Sequence, residues 1–247
     1  MNNVIDCLEP IFKKWILNSE NIPETVCKGI TVLIYKGGDT NDPKNYRLIT
    51  CLNLILKIFT SILKRRIEIT LKHNDDNKRI SLNQLGCKQY SYASKEGLLQ
   101  NTLLQAILNK RMNEWVEMYY DITKAYDSVN HKWLLKCLQY YKIPKKIIIR
   151  KMMELWKIQM VFRKEIIGEI NIKTGILQGD SLSLLFVLSI DLISKELNKA
   201  LRPINITREG KSFELSHTFY MDDLKTIKEM YEMVRADTIM KYVIHYI

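Results

Sequence analysis

Tyr220-Met221-Asp222-Asp223 and, upstream, Tyr120-Asp121-Ile122-Thr123-Lys124-Ala125-Tyr126-Asp127-Ser128 are the two stretches on which the reading of this chain turns. Each places a carboxylate after apolar or aromatic residues. Asp121 follows Val116, Met118, Tyr119 and Tyr120, and Asp222 follows Phe219, Tyr220 and Met221. Such runs read as buried strands, so both carboxylates fall at strand ends. Carboxylates held close together there repel one another, and a cation relieves the repulsion. Mg²⁺ is a hard ion that takes oxygen ligands, commonly one or two carboxylates together with substrate phosphates. Two such ions can clamp the attacking and leaving oxygens of an in-line displacement. Singly, an acidic pair in a turn and an Asp closing a strand are commonplace. The two segments together point to phosphoryl transfer.

Composition is consistent with that chemistry. The 247 residues, 47% of them hydrophobic, can bury a sizeable core in one domain or two closely packed subdomains. The net charge of +11 favours a polyanionic partner, nucleic acid or an acidic membrane surface. The five cysteines, at 7, 27, 51, 87 and 137, are scattered, show no C-x-x-C spacing and form no cluster with the four His. They read as thiols of a reducing compartment rather than a zinc site. Asp6 and Glu9 near the N-terminus argue against a signal peptide. The longest apolar stretch, residues 182–193, is broken by Ser183, Ser189 and Asp191 and is too short to span a bilayer. A soluble, intracellular protein is expected.

Along the chain, residues 2–19 and 53–72 have amphipathic helical spacing, the latter with Lys57, Lys64, Arg65 and Arg66 on its polar face. Residues 29–35 read as a strand closed by Lys36-Gly37-Gly38-Asp39. A helix is expected over 94–112 and a strand over 115–122. A helix capped by Asn130 should run to 141, and another from Pro144 to about Met160. Residues 161–175 suggest a hairpin around Gly168. Asp180 can cap a buried helix reaching Ala200. Residues 215–220 and the chain from Leu224 would form a hairpin with Asp222 and Asp223 at its tip. The mixed order lacks the alternation of a doubly wound fold.

Four motifs in order give the chain a family resemblance. Asn45-Tyr46-Arg47-Leu48-Ile49 is similar to the fingers motif N-Y-R-P-I. Asp121-x-x-Lys124-Ala125-Tyr126-Asp127-Ser128 is similar to the first aspartate motif. Gly175-Ile176-Leu177-Gln178-Gly179-Asp180-Ser181-Leu182-Ser183 is similar to Q-G-D/S-x-L-S, and Tyr220-Met221-Asp222-Asp223 to Y-x-D-D. Over about residues 22–224 the chain resembles the reverse transcriptase domain of a non-LTR (LINE-type) retrotransposon.

The resemblance implies an α+β right hand, with fingers and a palm whose small antiparallel sheet packs on helices. It implies an RNA-directed DNA polymerase that uses an RNA template, a DNA primer and dNTPs. Two Mg²⁺ ions, for which Mn²⁺ can substitute, would be held by Asp121 and Asp222 with Asp223 and the Ile122 carbonyl assisting. Tyr126 would be the sugar gate that selects dNTP over NTP. Lys36 and Arg47 would contact the triphosphate, Gln178 and Gly179 would pack under the nascent base pair, and Tyr220 and Met221 would lie near the primer end. Lys64, Arg65 and Arg66 would track template or duplex phosphate. A retrotransposon life cycle would make the location nuclear.

The chain also departs from the family pattern. Leu48 and Leu184 stand where Pro is usual, and Gly86-Cys87-Lys88-Gln89-Tyr90-Ser91 lacks the second Gly and the Arg of the corresponding segment. Lys225-Thr226-Ile227-Lys228-Glu229-Met230 reads helix-like, and with so few residues left a thumb is expected to be absent. The expected division is an N-terminal helical extension (1–21), fingers (22–113), palm (114–225) and a helix-like tail (226–247). Two rival readings follow: a truncated, catalytically dead remnant that still binds nucleic acid, and a helical scaffold without a nucleic-acid role.

Overall fold

The computed structural model describes residues 2–75, 78–86, 97, 98, 100–102, 104, 105, 115–162, 165–177, 181–208, 211–229, 237, 238 and 241. Helix α1 (Asn2–Leu17) leads through two 3-10 turns to β1 (Lys28–Tyr35), which hairpins with β2 (Tyr46–Leu52). Helix α2 (Leu54–His73) starts where the Asn53 side chain accepts the Ile55 N–H at 2.9 Å. It buries Leu56, Phe59, Leu63 and Ile67, the i, i+3, i+4 spacing of one helix face. Phe59 meets Phe12 and Trp15 of α1 at ring separations of 5.3 and 5.1 Å, which fastens the N-terminal helix to the core.

Next come β3 (Trp115–Tyr120), the one-turn helix α3 (Ala125–Ser128), α4 (His131–Tyr140) and α5 (Lys146–Leu155). Asn130 caps α4 as expected, accepting from Lys132 N–H at 2.8 Å. The helix expected from Pro144 to about Met160 ends at Leu155. Lys157–Phe162 is instead strand β4, drawn into parallel pairing with β1 and antiparallel pairing with β5 (Glu165–Asn171). Gly168 does not turn a hairpin; it lies mid-strand opposite Met160, next to a register shift. The sheet order is β2-β1-β4-β5, so segments on both sides of the expected 113/114 boundary build one sheet.

Helix α6 (Ser183–Ala200) is buried on nearly every side and packs against α4 and the sheet that follows. Strands β6 (Ile204–Arg208) and β7 (Lys211–Leu215) pair with each other, a hairpin not foreseen. Strands β8 (His217–Tyr220) and β9 (Asp223–Glu229) complete a three-stranded antiparallel sheet of order β3-β9-β8. The helix-like reading of the tail therefore fails for residues 226–229. All four pair with β3, and Thr226 pairs with β8 as well, so tertiary pairing overrides a composition that would suit a helix.

A buried polar cluster joins these layers. Asp191 of α6 accepts from the Tyr141 hydroxyl at 2.5 Å and from Ser81 N–H at 2.8 Å, with Lys195 Nζ 3.7 Å away. Ser194 bridges Ser81 and the His217 ring, at 2.8 and 2.7 Å. These contacts pin residues 81–86 alongside β8. Asn83 donates to the His217 carbonyl, the Phe219 N–H donates to the Asn83 carbonyl and the Leu85 N–H to the Phe219 carbonyl, each at 2.8 Å. Among the described residues no helix is long and apolar enough to cross a membrane.

Candidate active site

The ladder pairs that close the β8–β9 hairpin, Phe219↔Leu224 and Tyr220↔Asp223, leave Met221 and Asp222 as a two-residue loop. Loops of that length require a positive φ, and Met221 supplies it at 56°. On the other side of β9, Tyr120 pairs with Leu224. Asp121, the next residue past β3, therefore arrives at the same end of the sheet as Asp222 and Asp223. Asp121 and Asp223 are exposed and Asp222 is half-buried. Burial is the largest cause that holds the Asp222 carboxyl above the usual carboxylate range. The negative charges of Asp223 and Asp121 push the same way, against a bond from its own backbone N–H.

The expected trio thus shares one electrostatic neighbourhood. Among the described residues, however, no group of three or more His, Cys, Asp or Glu side chains stands in a geometry that could hold a metal. What is present is a hard-oxygen donor set whose mutual repulsion already disfavours the charged form of Asp222, a condition a divalent cation would relieve. Ile122 turns its side chain toward the core. A cleft of about 500 Å³ opens beside Asp121 and Asp223, walled by Tyr119, Tyr120, Tyr220 and Lys225.

Tyr126 sits on α3 and lies flat against Phe186 of α6, with ring centroids 4.3 Å apart and planes inclined by 16°. Its backbone carbonyl accepts from Ile176 N–H at 2.8 Å. Gly175, at φ +86°, allows this approach: a Cβ there would stand 2.8 Å from Asp127 Cα. The motif around residue 175 thereby holds the Tyr126 turn in place. Gln178, Gly179 and the Asp180 cap lie outside the described residues.

Arg47 belongs to the other, four-stranded sheet, opposite Ile34 in the β1–β2 register. Lys36 is the residue just past β1, and its N–H donates to the Asn45 carbonyl at 2.7 Å. Both are exposed. Lys64, Arg65 and Arg66 lie on the outer side of α2. Lys64 and Arg65 each approach Glu68, at 3.8 and 3.9 Å.

Two site residues escaped the reading of the sequence. Phe186 is read there as helix core, and nothing local ties it to Tyr126. Gln84 is fully buried, and its side chain bonds to Met221 in the aspartate loop. It lies in an unpatterned loop, 137 positions away in sequence. Its neighbours Asn83 and Leu85 give no local signal of the role.

The family model for reverse transcriptase (RNA-dependent DNA polymerase) matches residues 34–244. The chain is 26% identical over 244 residues to the retrovirus-related Pol polyprotein from type-1 retrotransposable element R2 of Nasonia vitripennis. That alignment covers 95% of this chain and 22% of the relative. It is 30% identical over 113 residues to the corresponding polyprotein of Popillia japonica, across 44% of this chain and 14% of that one. The chain thus spans well under a third of the length of either curated relative. Among solved structures, the fold is similar to apo telomerase of Candida Tropicalis truncated from its C-terminal domain. The TM-score is 0.57 at 16% identity, covering 91% of this chain and 49% of that one. Telomerase of the same organism in complex with a fragment of telomeric RNA gives a TM-score of 0.55 at 16% identity, over 92% of this chain and 40% of that one. With a match running from the end of β1 through both aspartate segments, the chain belongs to the reverse transcriptase (RNA-dependent DNA polymerase) family, as a domain of the non-LTR retrotransposon kind.

Proposed function

We propose that this chain extends a DNA primer on an RNA template, joining dNTPs to the primer 3′-hydroxyl by phosphoryl transfer. The observation that carries the reading is the strand register. Tyr120↔Leu224 and Tyr220↔Asp223 bring Asp121, Asp222 and Asp223 to one sheet end, where their charges act on one another. Asp121 and Asp222 would hold two Mg²⁺ ions, with Asp223 and the Ile122 carbonyl assisting. The chemistry such a pair would supply is a lowered pKa for the attacking hydroxyl and neutralised charge on the leaving pyrophosphate.

The rest of the chain's work is positioning. The ring of Tyr126, seated on Phe186, forms a floor against which a 2′-hydroxyl would collide. Lys36, just past β1, and Arg47 of β2 offer a point charge and a planar fork to triphosphate oxygens. Gln178 and Gly179 would lie under the nascent pair, Tyr220 and Met221 near the primer end, and Lys64, Arg65 and Arg66 along duplex phosphates. A nuclear site of action follows from copying into a genome.

Primer extension with Mg²⁺ and labelled dNTP, wild type beside Asp222→Asn, tests the reading. Loss of at least about 100-fold is expected, the scale of removing one electrostatic stabiliser of a transition state. Equal incorporation by the two proteins would show that the carboxylate pair is not the polymerase site.

A further inference from the structure

Gln84 is inaccessible to solvent, and its side-chain amide is spent on the backbone around the aspartate loop. Oε1 accepts from the Met221 N–H at 3.2 Å and from the Gly86 N–H at 2.9 Å. Nε2 donates to the Met221 carbonyl at 3.3 Å. One side chain therefore engages both backbone groups of the residue that adopts the left-handed conformation in the loop.

That conformation is unfavourable for a residue with a side chain and persists where the surroundings over-determine it. The surroundings here are specific. Residues 83–85 lie parallel to β8, with Gln84 paired to Phe219, which fixes the base of the Gln84 side chain. Gly86 then passes so close to the loop that a Cβ would stand 2.6 Å from Met221 Sδ and 2.7 Å from Met221 N. Asp222 is the next residue, so any rotation at Met221 swings its carboxylate away from Asp121.

We propose that Gln84 is a positioning residue: its buried amide clamps Met221 from both backbone sides and so sets the Asp222 carboxylate in its working place. The inference rests on the polymerase reading of that carboxylate pair. Gln84 touches no reacting atom in this scheme; it acts through the loop. Gly86 is the second half of the device, since it permits the approach.

The test uses the whole chain and two variants that perturb the loop by different means. Gln84→Met keeps the bulk and removes the three hydrogen bonds, and Gly86→Ala pushes on Met221 directly. Hydrogen exchange reads the clamp itself. The peptide spanning 217–224 should exchange about 10-fold faster or more in Gln84→Met, with α4 and α6 peptides unchanged. Steady-state primer extension reads positioning. In both variants kcat per folded molecule should fall about 10- to 100-fold, while KM for dNTP stays within about 2-fold. A purely structural role would lower the folded fraction and leave kcat per folded molecule intact.

Unchanged exchange at 217–224 would overturn the clamp, and faster exchange with unchanged kcat would overturn the positioning role. Both results count when wild type extends and Asp222→Asn does not. If wild type and Asp222→Asn behave alike, the polymerase reading itself has failed, and the positioning role falls with it.

Discussion

Tyr126 shows how a single ring acquires a job from its neighbours. Its stacking on Phe186, 4.3 Å away and nearly parallel, sets the ring's height from the core side, because Phe186 is 1% exposed and has nowhere to go. If the opposite face forms the floor of the sugar pocket, a ribose hydroxyl must be forced into filled space. Overpacking of that kind costs about 1–3 kcal/mol, so discrimination on the order of 10- to 100-fold is expected. Tyr126→Ala should therefore raise incorporation of NTP relative to dNTP by about that factor. Phe186→Leu should shift the ratio in the same direction by less, because the ring is still present but, with less behind it, can give way. Tyr126→Phe should leave the ratio unchanged, since the argument uses the ring and not the hydroxyl. Competition between dNTP and NTP in primer extension measures all three. A ratio that stays put in Tyr126→Ala would remove the gate.

Helix α6 is the element on which the layers meet, and it carries a carboxylate where no solvent reaches. Burial is the largest cause raising the Asp191 carboxyl above its ordinary range; the Tyr141 hydroxyl, Lys195 and the Ser81 N–H pull it back down without cancelling that effect. The folded state therefore binds this proton more tightly than the unfolded chain does. By linkage the native state loses stability as pH rises from the ordinary carboxylate value through the raised one. Asp191→Asn keeps an acceptor for the Ser81 N–H and removes the titration. Its stability relative to wild type should thus grow between about pH 4 and pH 7 in urea melts. A difference that does not vary with pH would contradict the sign argued here. Two of the neighbouring groups stay out of that range. The Cys137 thiol is pushed up to about 12 by burial, and the Tyr141 hydroxyl is raised further, so neither titrates in that window. Elements of this kind were legible where local signals coincide. The apolar spacing over 53–72 announces α2, Asn130 announces α4, and the apolar run over 182–193 announces α6. The end of α5 was not legible, because residues 147–162 form one long apolar-rich stretch. What makes Lys157–Phe162 a strand is parallel pairing with Lys28–Val32, far away in sequence. β9 was misread for the same reason, its Lys, Ile and Glu suiting a helix until β3 pairs along its length. The aspartates and Tyr126 could be found from motifs, whereas Gln84 and Phe186 act through contacts that no local pattern encodes.

At the scale of the molecule, the four-stranded sheet with Lys36 and Arg47 and the three-stranded sheet with the aspartates share one continuous apolar core. Ser61 of α2 and Ser181, just ahead of α6, add a direct tie with hydroxyls 2.7 Å apart. A shared core makes the two sheets answer to each other, so a nucleic acid lying along α2 would be held in a fixed relation to the carboxylates. The net charge of +11 supplies the attraction, and the consecutive Lys64, Arg65 and Arg66 of α2, the first half-buried and the two arginines exposed, are three of the cations. Glu68 does little to neutralise them. Its contacts to Lys64 and Arg65 are long, at 3.8 and 3.9 Å, and Arg65 is largely exposed, a situation in which ion pairs contribute little. Each phosphate contact releases about 0.7–0.9 counterion equivalents to the slope of log affinity against log salt. Replacing all three residues by Ala should therefore flatten that slope by about 2 for an RNA–DNA duplex, with the weakening greatest at low salt. The triple variant should also melt close to wild type, because exposed substitutions of this kind shift stability by about 0.5 kcal/mol or less each. Titrations at several salt concentrations give the answer directly. A slope equal to that of wild type would mean that α2 faces solvent in the complex and that the duplex runs over another part of the basic surface.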